Sequence, residues 1–481
     1  MRNGLLLALL LGVLLATPRA AGQSAGETAP AVTAAPDATR LFIESCASCH
    51  GPDRMGLLAP PLMQQTLTRF SDEQIRDLLR KGIPGTRMPS FTLTLDDAKI
   101  AELIRFIRRP GTISWSDADV AASRKVHEPD GPPQPVGDTE DLTAVVERGT
   151  GNVLFIQDHE LIREVFFPNV HGGLKYVGDK LFVPARTGFV MRLDLPTVRP
   201  ELTVRAGIYL RNIEVSPEHV IAACSLPPSL VFFDHDLTWK KTILLDADPS
   251  AVTRLDERRF LVTFNDRPKL LLVEGDQVTR EIPVSAPYKQ CARVGDLVIG
   301  TNGKTIFATD FVSEAKLEDS AIPHIAAGEF WEQDGVTMWA TPKIDTHGIT
   351  VYRVRRGGGS DEPARIDKVA QIEATALPVR GHTNTFVRTH PALDFLVTTS
   401  GSDVLIVSKQ DFTVRRTLTP MKGKMALHTE FSQDGSTLFV SVYDERGGIF
   451  MFDTRDFSLR GMIPAAKPAG QYNRFMKSWR N

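Results

Sequence analysis

Cysteine is scarce. Four in 481 residues cannot staple a chain of this size, which excludes a disulfide scaffold. An excess of charge of one sign is missing too. Lys+Arg 56 against Asp+Glu 58 leaves a net charge of −2, so no strong overall field draws nucleic acid or an anionic membrane surface. Beyond the first residues there is no apolar run approaching the ~20 residues a membrane helix needs, and no stable membrane insertion is expected. Hydrophobic residues at 42% and charged residues at 24% are the proportions of a soluble globular protein. Gly 36 and Pro 32 favour a turn-rich β architecture over a helical bundle. At about 150 residues per domain, the length corresponds to roughly three domains.

The first residues read as an export signal, residues 1–22. Arg2 supplies a positive start and residues 5–16 an apolar run of about a dozen, short for a span. Thr17, Pro18 and Arg19 break that run before the small residues Ala20, Ala21 and Gly22, a sequence suited to cleavage. A periplasmic protein is the expectation. Residues 23–38 form an Ala-, Thr- and Pro-rich spacer.

Helical patterning occupies residues 40–109. Ser71-Asp72-Glu73-Gln74 has the capping-box form and opens one helix. Asp96 and Asp97 open another, in which Ile100, Leu103, Ile104 and Ile107 share a face. Residues 110–140 are rich in Pro, Asp and Gly without sustained periodicity and read as a linker. From residue 141 onward, pairs of short strands recur at roughly 40 residues, the period of a propeller blade. Leu181-Phe182-Val183 with Val190-Met191-Arg192-Leu193-Asp194 is one such pair; Leu438-Phe439-Val440 with Ile449-Phe450-Met451-Phe452-Asp453 is the last. Val153-Leu154-Phe155 supplies an eighth unit that is incomplete at its start. The expected fold is a small all-α class I cytochrome c domain (40–109), the linker (110–140) and an all-β eight-bladed propeller (141–481).

The cytochrome assignment rests on Cys46-Ala47-Ser48-Cys49-His50. Two thiols at this spacing add to the two vinyl groups of a haem, and the adjacent histidine ligates the iron. A zinc half-site would want a second ligand pair nearby, and no further cysteine precedes Cys224. The implied cofactor is a covalent haem c. Met88, before Pro89 in a loop between two helices, is the chosen second axial ligand, ahead of Met63 and Met55.

In the propeller the central channel is the default site. His171, His324, His347, His382, His390 and His428 fall near strand starts or connections, where a neutral imidazole can bind iron or move a proton. A purely structural role stays open for each. His159 and His235 sit in strand turns and read as solvated; Cys224 and Cys291 read as small buried hydrophobes.

The cytochrome-plus-propeller order resembles the cytochrome cd1 nitrite reductases and their haem d1 biosynthesis relatives across nearly the whole mature chain. The matching stretches are Val170-His171, residues 180–194 with Arg186, Gly207-Ile208-Tyr209-Leu210-Arg211, Trp339-Ala340-Thr341 leading to His347, Thr389-His390-Pro391 and Tyr472-Asn473. Around His324 and in Leu427-His428-Thr429-Glu430-Phe431 the chain departs from the nitrite reductases and looks more like the cytochrome-fused dihydro-haem d1 dehydrogenases. The resemblance implies that haem d1 or dihydro-haem d1 binds in the propeller, with His171 as proximal iron ligand. His347 would be the distal ligand, with His390 and His324 as alternatives. His428 would accept a proton, with Tyr472 close by. Arg186 and Arg211 would bind the carboxylates of the macrocycle, with Arg267 and Arg380 as weaker candidates.

The implied reaction turns a propionate into an acrylate and sends electrons to haem c, then to a soluble periplasmic acceptor. A nitrite reductase would receive the haem d1. Two alternatives stay open: a cytochrome cd1-type nitrite reductase and a non-catalytic haem d1 carrier.

Overall fold

Two side-chain periods, 3.6 and 2, divide the chain, and the backbone follows them. The computed structural model describes residues 37–480 except 69, 130, 133, 172, 295–296, 312–313, 320–321, 344–347, 356, 358–363 and 374–385. The export signal, His347, Arg380 and His382 therefore lie outside the described residues.

The N-terminal helices are Ala38–Ser45, Ala47–His50, Gln64–Leu67, Asp72–Lys81 and Asp97–Arg108. The capping box forms as expected: Ser71 Oγ accepts from Gln74 N at 3.1 Å, and Gln74 Oε1 accepts from Ser71 N at 2.9 Å. Ile100, Leu103, Ile104 and Ile107 all face inward, joining Phe42, Ile75 and Leu79 in one apolar core. Among the described residues no helix is long and apolar enough to cross a membrane.

Among the described residues the strands form eight sheets in succession, seven of four strands and one of five. Each sheet is built from consecutive antiparallel strands, the pattern of propeller blades, with two exceptions: one adds an outer strand to the second blade, and the other closes the ring. The unit around Val153 was expected to be incomplete at its start, and its missing inner strand comes from the far end of the chain. Pro468–Asn473 pairs with Thr143–Glu147, in the register Thr143↔Asn473, Ala144↔Tyr472 and Val145↔Gln471. Asn473 locks the seam. Its buried amide donates to Asp141 O (3.2 Å), Asp141 Oδ1 (3.1 Å) and Thr143 Oγ1 (3.0 Å), and its Oδ1 accepts from Met476 N at 3.2 Å.

The stretch 110–140 has more structure than its composition indicates. Ser116 caps a helix at Asp117–Ala122, and its backbone N–H donates to Asp119 Oδ2 at 2.7 Å. Lys125–Val126 then pairs antiparallel with Arg199–Arg205 and becomes the fifth strand of the second blade. Elements of six and two residues are too short to register as a period, and the strand exists only because a neighbouring edge offers partners.

Asn473→Ala removes the side-chain bonds that Asn473 makes to Asp141, Thr143 and Met476 at the closing seam. It should cost about 2–4 kcal/mol. The midpoint of denaturant unfolding measures this, and an unchanged midpoint would show that the seam does not depend on Asn473.

Candidate functional site

The haem-attachment motif is held on a single helical turn. Cys46 N donates to Phe42 O at 2.8 Å, ending the first helix, and His50 N donates to Cys46 O at 2.9 Å. Cys46, Cys49 and His50 therefore project from successive positions of one turn. Both thiols are unpaired and half-buried. Burial and the neighbouring Cys49 push the Cys46 thiol up to about 11. His50 Nδ1 lies 2.7 Å from Pro60 O. A carbonyl oxygen only accepts, so Nδ1 carries the hydrogen and Nε2 keeps its lone pair, the form that an iron ligand needs. Burial lowers the His50 pKa and favours that neutral form.

Met88 is partly buried in the same core, at the end of a loop closed by Ile83 N donating to Met88 O at 3.0 Å. Met63 is fully buried, and Met55 presents its backbone carbonyl to the propeller. Two unpaired thiols, an oriented imidazole and a thioether fit a covalent haem c.

In the propeller, one group of predicted residues lies on the second and third blades. His171 N donates to Pro184 O at 3.1 Å, and its Nε2 lies 3.3 Å from Arg186 Nη2. The Arg186 guanidinium sits 5.4 Å from the centre of the Tyr209 ring and donates to Leu210 O at 3.2 Å. Arg211 Nε is buried and finds no partner among the described residues. A buried donor without an acceptor carries a cost that a bound carboxylate would remove.

The second group spans the sixth, seventh, eighth and first blades. His428 occupies a β-bulge on the inner strand Met425–Phe431, where the register shifts between Ala426 and Thr429. Such a bulge re-aims a side chain. Its ring lies 3.6 Å from that of Phe386, centre to centre, and the His324 ring lies 5.7 Å from Phe386 on another side. The Arg388 guanidinium is 5.5 Å from the Phe386 ring and 4.0 Å from Glu329.

Burial and then the Arg388 charge hold His428 well below the ordinary histidine value, and the same causes lower His324 to about 4. His324 Nδ1 is buried with no partner among the described residues. Tyr472 feels the same Arg388 and Arg148 charges as His428, while burial raises its phenol. Gly470 lets the tyrosine ring fold back: at φ +80, a Cβ there would stand 2.9 Å from the Tyr472 hydroxyl.

Not every sequence expectation lands at this site. His390 is a structural residue: its Nδ1 accepts from Ala392 N at 3.1 Å and its Nε2 donates to Gln433 O at 2.9 Å. With both nitrogens engaged, it is removed as a distal-ligand alternative. Arg267 is exposed and pairs with Asp266 at 3.6 Å. His235 is not simply solvated; its Nε2 donates to Ser216 O at 2.8 Å. Cys224 is fully buried, whereas Cys291 is partly buried and lies 3.4 Å from Thr253 Oγ1. Sequence reasoning missed Arg388 and Phe386 altogether. The available signal was an aromatic and a cation immediately before His390, at the start of a strand.

Comparison with known proteins agrees with this layout. Residues 299–477 match the family described as Cytochrome D1 heme domain, and residues 33–107 match Cytochrome C oxidase, cbb3-type, subunit III. The chain is 27% identical to the dihydro-heme d1 dehydrogenase of Pseudomonas aeruginosa over 469 residues, covering 90% of this chain and 92% of that protein. The N-terminal part is 38% identical over 77 residues to cytochrome c55X of Paracoccus denitrificans, covering 14% of this chain and 75% of that protein. A solved structure of dihydro-heme d1 dehydrogenase NirN in complex with DHE superposes with a TM-score of 0.80 at 26% identity, covering 91% of this chain and 99% of that one. A haem-attachment motif ahead of a propeller, the Cytochrome D1 heme domain match and likeness along nine-tenths of its length make this chain similar to dihydro-heme d1 dehydrogenase.

Proposed function

We propose that the protein is an oxidoreductase of haem d1 biosynthesis that dehydrogenates a propionate of dihydro-haem d1 to an acrylate. The observation that carries this reading is the bulge-mounted His428 beside Phe386 and Arg388, in a chain of which 91% superposes on a dihydro-heme d1 dehydrogenase. The conversion of CH2–CH2 to CH=CH releases two protons and two electrons. Cys46, Cys49, His50 and Met88 would hold haem c, which would supply a one-electron acceptor for those electrons.

The protein's own groups do the rest. His171 and His347 would be the ligands to the iron of the substrate. Arg186 and Arg211 hold carboxylates on the second and third blades, and Arg388 supplies a further cation opposite them. His428 takes a proton from the propionate carbon, because its suppressed basicity leaves the ring unprotonated and able to accept. Tyr472 stays a neutral phenol and serves as a hydrogen-bond donor rather than a base. Export of the protein through the signal at residues 1–22 would place it in the periplasm, with a soluble electron acceptor there and a nitrite reductase to receive haem d1. The same reading assigns residues 40–109 to the cytochrome domain, 110–140 to the connection and 141–481 to the propeller.

The purified full chain should show haem c absorbance, and adding dihydro-haem d1 should yield the acrylate with reduced haem c. Permanently retained haem d1 would favour a nitrite reductase instead, and binding without acrylate formation would favour a carrier. His428→Ala should lower turnover by ~10²–10⁴-fold while the macrocycle still binds. Unchanged turnover in that variant removes His428 from the reaction.

The pH profile has a defined sign. A lowered pKa keeps the accepting form of His428 populated as pH falls, so turnover should not drop on passing from pH 8 through about 6.5, where a free histidine would be half protonated. An inflection at about 6.5 that disappears in His428→Ala would contradict this assignment.

A further inference from the structure

The loop that follows the haem-attachment motif meets the propeller through two of its carbonyls. Met55 O accepts from Arg205 Nη2, and Leu58 O accepts from Asn169 Nδ2. Arg205 is an anchor. Its buried guanidinium lies between the rings of Trp115 and Phe189, at 4.9 and 5.1 Å, and its Nε donates to Thr187 O and Gly207 O at 3.1 Å each. Those contacts stay local to the connection and the second blade.

Asn169 leads further. Its backbone carbonyl accepts from Arg186 N at 2.9 Å, and Arg186 Nη2 is the atom 3.3 Å from His171 Nε2. On the other side, Ala59 N donates to Cys49 O at 2.9 Å and His50 Nδ1 contacts Pro60 O at 2.7 Å. One residue thus bridges the loop that orients Cys49 and His50 and the wall that carries Arg186 and His171. Its backbone is built for the task, with φ 62, a left-handed conformation that asparagine and glycine adopt readily. Its amide has one possible orientation, because the Leu58 carbonyl can only accept.

We propose that Asn169 is a positioning residue that sets the coupling between the macrocycle site and haem c. Its amide holds the Leu58 side of the haem c loop against the wall bearing Arg186 and His171, so electrons cross at a fixed separation. It acts through Leu58 and Arg186, and its side chain ligates neither group. The proposal rests on the dehydrogenase reading above, in which haem c takes the electrons.

Two variants of the full, haem c-loaded chain test it. Asn169→Asp keeps the shape and the tolerance for positive φ but turns an acceptor toward Leu58 O. Asn169→Gly keeps the backbone and removes the amide. Backbone hydrogen exchange in residues 55–62, measured without macrocycle, should quicken by about tenfold in both. Stopped-flow reduction of haem c after adding dihydro-haem d1 should slow by about tenfold or more, since small misplacements carry large rate costs. Reduction of haem c by ascorbate, the haem c spectrum and macrocycle affinity by absorbance titration should stay at parental values.

Parental exchange and parental interdomain rates in both variants would overturn the proposal, as would faster exchange with an unaltered interdomain rate. If haem c in the parent protein is not reduced by dihydro-haem d1 at all, the dehydrogenase reading fails instead. Asn169 then stands or falls on the exchange rates alone.

Discussion

Everything at the propeller site depends on one strand pairing, Pro468–Asn473 against Thr143–Glu147. The partners are more than 300 residues apart in sequence. Closing such a loop costs entropy that rises only slowly with length, each doubling adding about 0.6 kcal/mol. A row of backbone bonds and the buried Asn473 offset that cost. The pairing delivers Tyr472 to the first blade, and Tyr176 OH donates to its backbone carbonyl at 2.9 Å from the second. It also covers the inner strand that carries His428, which would otherwise end at an open seam.

The charges follow from the same enclosure. Desolvation in a narrow ring penalises a protonated imidazole, and Arg388 adds its repulsion, so the histidines facing it are neutral. A guanidinium does not surrender its proton under the same pressure. The result is a pocket with permanent cations and uncharged bases, the combination that binds carboxylates while leaving a lone pair free for proton transfer. The Arg388 and Arg148 charges act on both His428 and Tyr472 and lower both.

The haem c site was the most legible part of the chain. Cys46, Cys49 and His50 are neighbours in sequence, and the helical turn that presents them is equally local. The capping box at Ser71 and the buried face from Ile100 to Ile107 were readable for the same reason. The blades were legible as a repeat, because each is made of consecutive strands. Contacts between distant segments were not. Nothing near Val153 indicates that residues 468–473 complete its sheet, and nothing in Thr389-His390-Pro391 says that the histidine is bonded through both nitrogens. Arg388 and Phe386 became visible only when the ring placed them against His428. Asn169 and Arg205 were hidden similarly: each meets its carbonyl partner more than 100 residues away.

The short strand Lys125–Val126 changes what kind of tether joins the two domains. A flexible chain from 109 to 140 would let the cytochrome domain swing through a wide volume. Zipping residues 125–126 onto the rim of the second blade shortens the connection to residues 109–115 before the capped helix, and within it Trp115 packs against Arg205. The cytochrome domain is thereby tethered over one sector of the ring, where Met55 O, Leu58 O and Pro84 O also accept from Arg205, Asn169 and Lys467. The same graft hides a blade edge on which another copy of the chain would otherwise stack.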